Sequence, residues 1–202
     1  GEATVTSSLT FTSANWDTPQ NVTVTGVDDD PIDGDQTSTL TISILDVVSD
    51  DDFDNVPDRT LSVTTTDDDV AGFTIAETDG STSVTEAGST DLFTVVLNAQ
   101  PATDVVVQFV SADTGEVTVT SLLTFTSANW DTAQTVTVTG VDEDFVDQDQ
   151  ITIITASILD VSSDDNFDAV ADQTVSVTTT DDDVAGFTIA ETEGSTGVTE
   201  AG

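Results

Sequence analysis

The stretch LTFTSANWDTAQTVTVTGVDEDFVDQDQITI, residues 123–153, decides the fold. Within it, Val136 and Val138 face one way and Thr135, Thr137 and Thr139 the other, the period-two alternation of a half-buried strand. The strand runs into a cluster of acids, Asp142, Glu143, Asp144, Asp147 and Asp149, interrupted by the apolar pair Phe145 and Val146. Alternation resumes at Gln150. The same pattern of strand, acidic turn and strand extends in both directions, and no segment keeps helical spacing.

Working outward, the stretch proves to be a second copy. GEATVTSSLTFTSANWDTPQNVTVTGVDDD at 1–30 returns as GEVTVTSLLTFTSANWDTAQTVTVTGVDED at 115–144, and DDDVAGFTIAETDGSTSVTEAG at 67–88 returns as DDDVAGFTIAETEGSTGVTEAG at 181–202. Both offsets are 114 residues, and 67 of the 88 overlapping positions are identical. A period of that size is one small domain repeated in tandem. The reading is therefore residues 1–69 as the C-terminal part of one repeat, 70–183 as one complete repeat and 184–202 as the start of another, with the whole expected to be a window on a longer protein.

The complete repeat reads as seven strands, near 72–77, 92–98, 104–112, 117–125 (broken at Ser121), 134–141, 150–159 and 174–180. Seven short strands in a repeat of this length predict an all-β fold of tandem antiparallel Ig-like sandwiches. The alternation predicts burial of Val95, Val107, Phe109, Phe125, Val136, Val138, Ile153 and Val177. The first and last strands of such a sandwich run from pole to pole, so successive repeats should join at opposite poles with only Val70 and Ala71 between them.

Composition excludes most functions. The chain has 40 acids against a single base, Arg59, for a net charge of −39, and it lacks Lys, His, Cys, Tyr and Met. Nucleic acid and anionic membrane are excluded as partners because nothing neutralises phosphate. With neither Cys nor His, disulfides, zinc sites and His-assisted nucleophiles are excluded as well. Disorder is disfavoured, because 36% of the residues are hydrophobic and Thr, a strand former, occurs 40 times. What remains is carboxylate chemistry. The acids collect at strand ends, at 142–149, 164–172 and 181–183, and 18 of the 19 acids in residues 1–88 keep an acidic counterpart; Asp52 alone becomes neutral, at Asn166. Two carboxylates ~4 Å apart repel by about 4 kcal/mol at an effective dielectric of ~20. Oxygen-only clusters of this kind suit a hard cation, and a flexible many-carboxylate site favours Ca²⁺ over Mg²⁺.

The stretch at 123–153, with GFTIAE at 72–77 and DDD at 181–183, resembles the Calx-beta domain. The family's strand ends in paired acids, followed by an apolar pair and an acid–Gly–acid turn; VDDDPIDGDQ at 27–36 keeps that glycine as Gly34, whereas the second copy has Gln148. That departure is expected to stiffen or distort the turn. The resemblance implies several Ca²⁺ ions at one pole, with Glu77, Asp142, Glu143, Asp147, Asp181, Asp182 and Asp183 as ligands. It adds Glu116 if the alignment slips by one residue, and ranks Asp144 lower. In the first copy it implies Asp28, Asp29, Asp33, Asp67, Asp68 and Asp69. The alternative reading of these acids is a set of solvated turns.

Other features carry less. Asp50, Asp52, Asp54 and Asp58, repeated as Asp164, Asn166, Asp168 and Asp172, have EF-hand-like spacing, but Gly at the sixth position and Glu at the twelfth are missing, so a plain hairpin loop is preferred. The sequon at 21–23 has no counterpart at Thr135, and Trp16 and Trp130 read as plugs of the core edge. A glycosidase pair is disfavoured because the acids recur by the half-dozen in each repeat. The functional expectation is thus a non-enzymatic structural part with Ca²⁺ as its cofactor: a calcium-rigidified stalk or filament repeat of a secreted or cell-surface bacterial protein. Its expected partners are neighbouring repeats or other copies in a fibre, with no small-molecule substrate. A carbohydrate- or protein-binding module and a Ca²⁺ sensor are the alternatives.

Overall fold

The computed structural model describes residues 1–191, 194, 197, 198 and 200. Its strands are β1 (Ala3–Val5), β2 (Val24–Gly26), β3 (Gln36–Ile42), β4 (Arg59–Thr65), β5 (Phe73–Glu77), β6 (Thr82–Thr85), β7 (Thr90–Leu97), β8 (Val105–Ser111), β9 (Val117–Val119), β10 (Leu122–Phe125), β11 (Gln134–Gly140), β12 (Gln150–Ile158) and β13 (Gln173–Thr180). From β5 onward they form two sheets, β10-β8-β12-β13-β6 and β5-β7-β11-β9. All neighbours are antiparallel except β6, which runs parallel to β13. The inward faces meet in one core of Val, Ile and Phe, in which Phe93 and Phe109 pack edge to face with centroids 5.8 Å apart. Burial of each such side chain contributes roughly 1.5–3 kcal/mol.

The seven predicted segments are present, with the fourth broken into β9 and β10 around Ser121. The count of seven needs correction, because β6 is a further strand between the first two predicted segments. Only Val84 in it is a large apolar residue, and its buried Thr82 is polar, so alternation is invisible there. Residues 184–191, the expected start of a further repeat, carry no strand, and the rest of that expectation falls partly outside the described residues.

Seven of the eight predicted core residues are buried; Ile153 is not, being 39% exposed. Ile151, Ile153 and Ile154 offer apolar groups to both faces, so parity is ambiguous from sequence. Pairing decides it: Ala156 lies opposite Phe109 and Ile158 opposite Val107, which turns Ile154 inward and Ile153 out. Ile154→Val should therefore cost about 1 kcal/mol in urea denaturation. Ile153→Val should stay within about 0.5 kcal/mol. Equal losses at both positions would contradict this register.

Residues 1–69 form the same pairs as the complete repeat, β1 with β2 as β9 with β11, and β3 with β4 as β12 with β13. Here they stand as two-stranded sheets, and Phe11 and Phe53 are exposed where their counterparts Phe125 and Phe167 are fully buried. Trp130 packs against the core edge, as predicted, while Trp16 is exposed.

Candidate metal centre

Four chain segments bring acids to one pole of the complete sandwich. Glu116 immediately precedes β9, Glu86 immediately follows β6, residues 142–149 connect β11 to β12, and Asp181, Asp182 and Asp183 follow β13. Backbone bonds fasten these ends together: Glu86 N–H donates to Thr180 O (3.2 Å), Val141 N–H to Glu116 O (2.9 Å) and Gly140 N–H to Ser89 O (3.1 Å). Gly140 is required at this junction, since a Cβ there would fall on the Thr85 carbonyl oxygen, next to Glu86.

Two groups result, Glu86–Glu143–Asp183 and Glu116–Glu143–Asp147, sharing Glu143. Within each, one carboxylate oxygen per residue lies within 4.8 Å of the others. Glu86 is fully buried although it carries a carboxyl group. Both its oxygens, with Glu116 Oε2, Glu143 Oε1 and Asp183 Oδ2, are buried without a hydrogen-bond partner. Desolvation pushes all four carboxyls above their ordinary values. Asp181, Glu143 and Glu116 add to it at Glu86; Asp147, Asp113, Glu143 and Asp181 at Glu116; Asp147, Asp183 and Asp181 at Glu143; and Asp181, Asp144, Asp182 and Asp142 at Asp183. The Asp182 N–H, short of a proper hydrogen bond with Glu86, still opposes the shift there, and the Phe145 N–H opposes it at Glu143.

These residues fit calcium. Ligand oxygens at ~2.3–2.6 Å from one ion stand at most ~5 Å apart, and an all-oxygen anionic set is what a hard cation takes. Buried charges without partners are otherwise costly, and a divalent ion supplies the missing partner.

Of the residues picked out in the sequence, Glu116, Glu143, Asp147 and Asp183 come together. Glu77 does not. It ends β5 level with Thr82, whose Oγ1 donates to it (3.4 Å), so it lies the length of β6, ~13 Å, short of Glu86. Asp142 and Asp182 are exposed and in neither group. Asp181 builds the turn instead, its Oδ2 accepting from Gln148 N–H (2.8 Å) and its Oδ1 from Asp183 N–H (2.8 Å). Glu86 was missed because the segment that delivers it was missed; its one signal was a lone acid after the short TSVT run.

The first copy repeats the turn. Asp67 accepts from Gly34 N–H (2.6 Å) and Asp69 N–H (2.9 Å), and the amides of Asp69 and Gly34 hold its carboxyl below the ordinary value. Asp69 is pushed up by desolvation and by Asp67, Asp68, Asp30 and Asp28. Glu2, Asp28, Asp29, Asp33, Asp67, Asp68 and Asp69 line a cleft of about 200 Å³. Gln148 does not distort its turn: it holds φ 74°, matching Gly34 at 71°. A left-handed non-glycine is strained by ~1–2 kcal/mol, so Gln148→Gly should stabilise the protein by about 1 kcal/mol in thermal melts. A destabilised variant would refute the strain.

At the other pole Asp164 is no free ligand. Its Oδ2 accepts from Ala102 N–H (2.7 Å) and Thr103 N–H (2.9 Å), and its Oδ1 from Asn166 N–H (3.0 Å). Burial raises its carboxyl and the three amides more than reverse that, leaving it below the ordinary value. Its counterpart Asp50 accepts from Asp52 N–H (3.0 Å). The preference for a hairpin loop over an EF-hand site agrees with this geometry.

No protein-family model matches the chain, and no curated protein matches it. Similar solved structures include the E. coli chaperone DraB (14% identity, TM-score 0.40, covering 58% of this chain and 59% of that one). Others are the apo-form CBD1 domain of Calx (17%, TM-score 0.39, 55% and 98%) and domains 4 and 5 of the S-layer protein SbsC (18%, TM-score 0.38, 79% and 82%). The chain thus spans 59% of DraB's length. With TM-scores no higher than 0.40, none of these likenesses bears on ligand, partner or activity.

Proposed function

We propose that the chain is part of a calcium-rigidified extender, a stalk or filament repeat of a long secreted or cell-surface bacterial protein, without enzymatic activity. The observation that carries this reading is the set of buried, unpartnered carboxylate oxygens on Glu86, Glu116, Glu143 and Asp183. Glu86, Glu143 and Asp183 would hold one Ca²⁺, and Glu116, Glu143 and Asp147 a second. The first copy offers a comparable cleft around Asp28, Asp29, Asp33, Asp67, Asp68 and Asp69.

A head-to-tail arrangement is supported by contacts across the repeat boundary. Gln100 N–H donates to Asp30 O (2.8 Å), and Asn166 Nδ2 donates to Ile32 O (3.3 Å). The acidic loop of the first copy thereby meets the end of the second that carries Asp164. In 0.15 M salt the Debye length is ~8 Å, too long to screen such close acidic ends. Ca²⁺ would cancel the repulsion and hold the angle, with a rise of roughly 35–45 Å per repeat from strands of about ten residues. The partners are then neighbouring repeats and other copies in a fibre. A carbohydrate-binding role is the weaker reading, because Trp130, the tryptophan of the complete repeat, packs against its core.

Small-angle scattering of the chain in about 10 mM CaCl₂ and in EDTA tests the proposal, since extracellular sites bind at roughly 0.1–1 mM. The maximum dimension should shrink on chelation. An unchanged extended profile would show that packing between repeats alone sets the stiffness.

A further inference from the structure

We propose that Phe145 and Val146 form a plug that seats in the Gln100–Asn166 end of another copy of this repeat; the idea rests on the end-to-end reading above. The same sequence position occurs twice in the chain, once seated and once bare. In the first copy the apolar pair is Pro31 and Ile32. Pro31 forms a parallel bridge with Gln100, and Ile32 packs against the second copy's hydrophobic core. Asp30 O and Ile32 O, flanking Pro31, accept from Gln100 N–H and Asn166 Nδ2. Gln100 is itself held by its side chain, which donates to Ser127 O (2.9 Å).

One period later the pair is Phe145 and Val146, 72% and 55% exposed. Two large apolar side chains standing in water amid Asp142, Asp144 and Asp147 have no local reason to be apolar. Their counterparts, both half-buried, supply the reason: they are the covered part of a joint. The occupant is therefore a second copy of this repeat, presenting its counterparts of Gln100 and Asn166. The one acid that becomes neutral between the copies falls in the socket. Asn166 replaces Asp52, and only the amide can donate to a carbonyl while adding no charge beside the acidic loop.

Disulfide trapping tests this, since the chain contains no cysteine to compete. The reference is Pro31→Cys with Gln100→Cys in the 202-residue chain. The test chain repeats residues 89–202 after Gly202, with Phe145→Cys and a cysteine at the added copy's counterpart of Gln100. Its control pairs Phe145→Cys with a cysteine at the added copy's counterpart of Thr180, on the far end. Bridged backbones lie within disulfide range, and Ile32 or Val146 is left intact. The test pair should close about as fast as the reference and at least about tenfold faster than the control. Closure at the control rate, or a reference pair that fails to close, overturns the proposal. Closure equally fast in EDTA and in Ca²⁺ upholds the plug while defeating calcium as the source of stiffness, which separates the two readings. Asn166→Asp should slow the reference closure about fivefold, the weight of about one hydrogen bond. An unchanged rate removes Asn166 from the joint.

Discussion

Replacing Asp164 by alanine should destabilise the complete repeat by about 4 kcal/mol, whereas the same replacement at Asp50 should cost less than about 1 kcal/mol. The two residues occupy matched positions in nearly identical loops, so propensity and local sequence cancel in the comparison. What differs is the number of amides each holds. Asp164, only 6% exposed, satisfies the N–H groups of Ala102, Thr103 and Asn166, and thereby ties the turn after β12 to the loop before β8. Alanine leaves those amides without that acceptor, at ~1–3 kcal/mol each before water intrudes. Asp50 satisfies the one amide of Asp52 in an exposed turn. Urea denaturation followed by Trp130 fluorescence reads the difference. Equal losses at the two sites would show that the turn, and not the tie to the 101–103 loop, carries the energy. The pH dependence has a definite sign. The folded carboxyl lies below its ordinary value of 3.8, so its stabilisation is present above that value and is lost as pH falls through the depressed one.

Calcium should raise the melting temperature by about 10 °C for each ion bound, at concentrations about 100-fold above the dissociation constant. Binding to the folded state alone then adds ~2.7 kcal/mol per site, and a repeat of this size shifts by several degrees per kcal/mol. Differential scanning calorimetry in CaCl₂ against EDTA at matched ionic strength measures it, and an unmoved transition would defeat the metal centre. Glu86→Gln separates site from scaffold. In EDTA the variant should melt no lower than the parent, because it removes a buried carboxyl whose ionisation burial and three other acids oppose. In Ca²⁺ it should lose the gain of the ion it shares with Glu143 and Asp183. The pH sign is opposite to that of Asp164. Glu86, Glu116, Glu143 and Asp183 titrate above their ordinary values without a cation, so the metal-free fold is favoured below those values and loses stability as pH rises through the elevated ones. Protons and calcium compete for the same oxygens, so the calcium-induced shift should diminish on acidification.

The residues by themselves determined which strands pair. Ala3 lies opposite Gly26 as Val117 lies opposite Gly140, and Gln36 opposite Thr65 as Gln150 opposite Thr179. Identical patterning yields identical register whether or not a full sandwich surrounds it, because alternation and turn length act within one segment. The resemblance read from the sequence likewise grouped Glu143, Asp147 and Asp183, and Glu116 on a one-residue slip of the alignment; these four come together in the fold. Tertiary structure decided burial wherever one pattern occurs twice. Phe11 and Phe53 stay in water while Phe125 and Phe167 are sealed, the difference being the strands β5 to β8 that complete the core. It also decided the facing of Ile153 and Ile154, through the partner strand β8. Glu86 came to light in the same way. The strand that carries it, TSVT, has too few apolar residues to announce itself, and it exists because β13 offers a free edge with hydrogen bonds to satisfy. Local pattern sets which way a side chain points along its strand; only the assembled sheets set what it then meets.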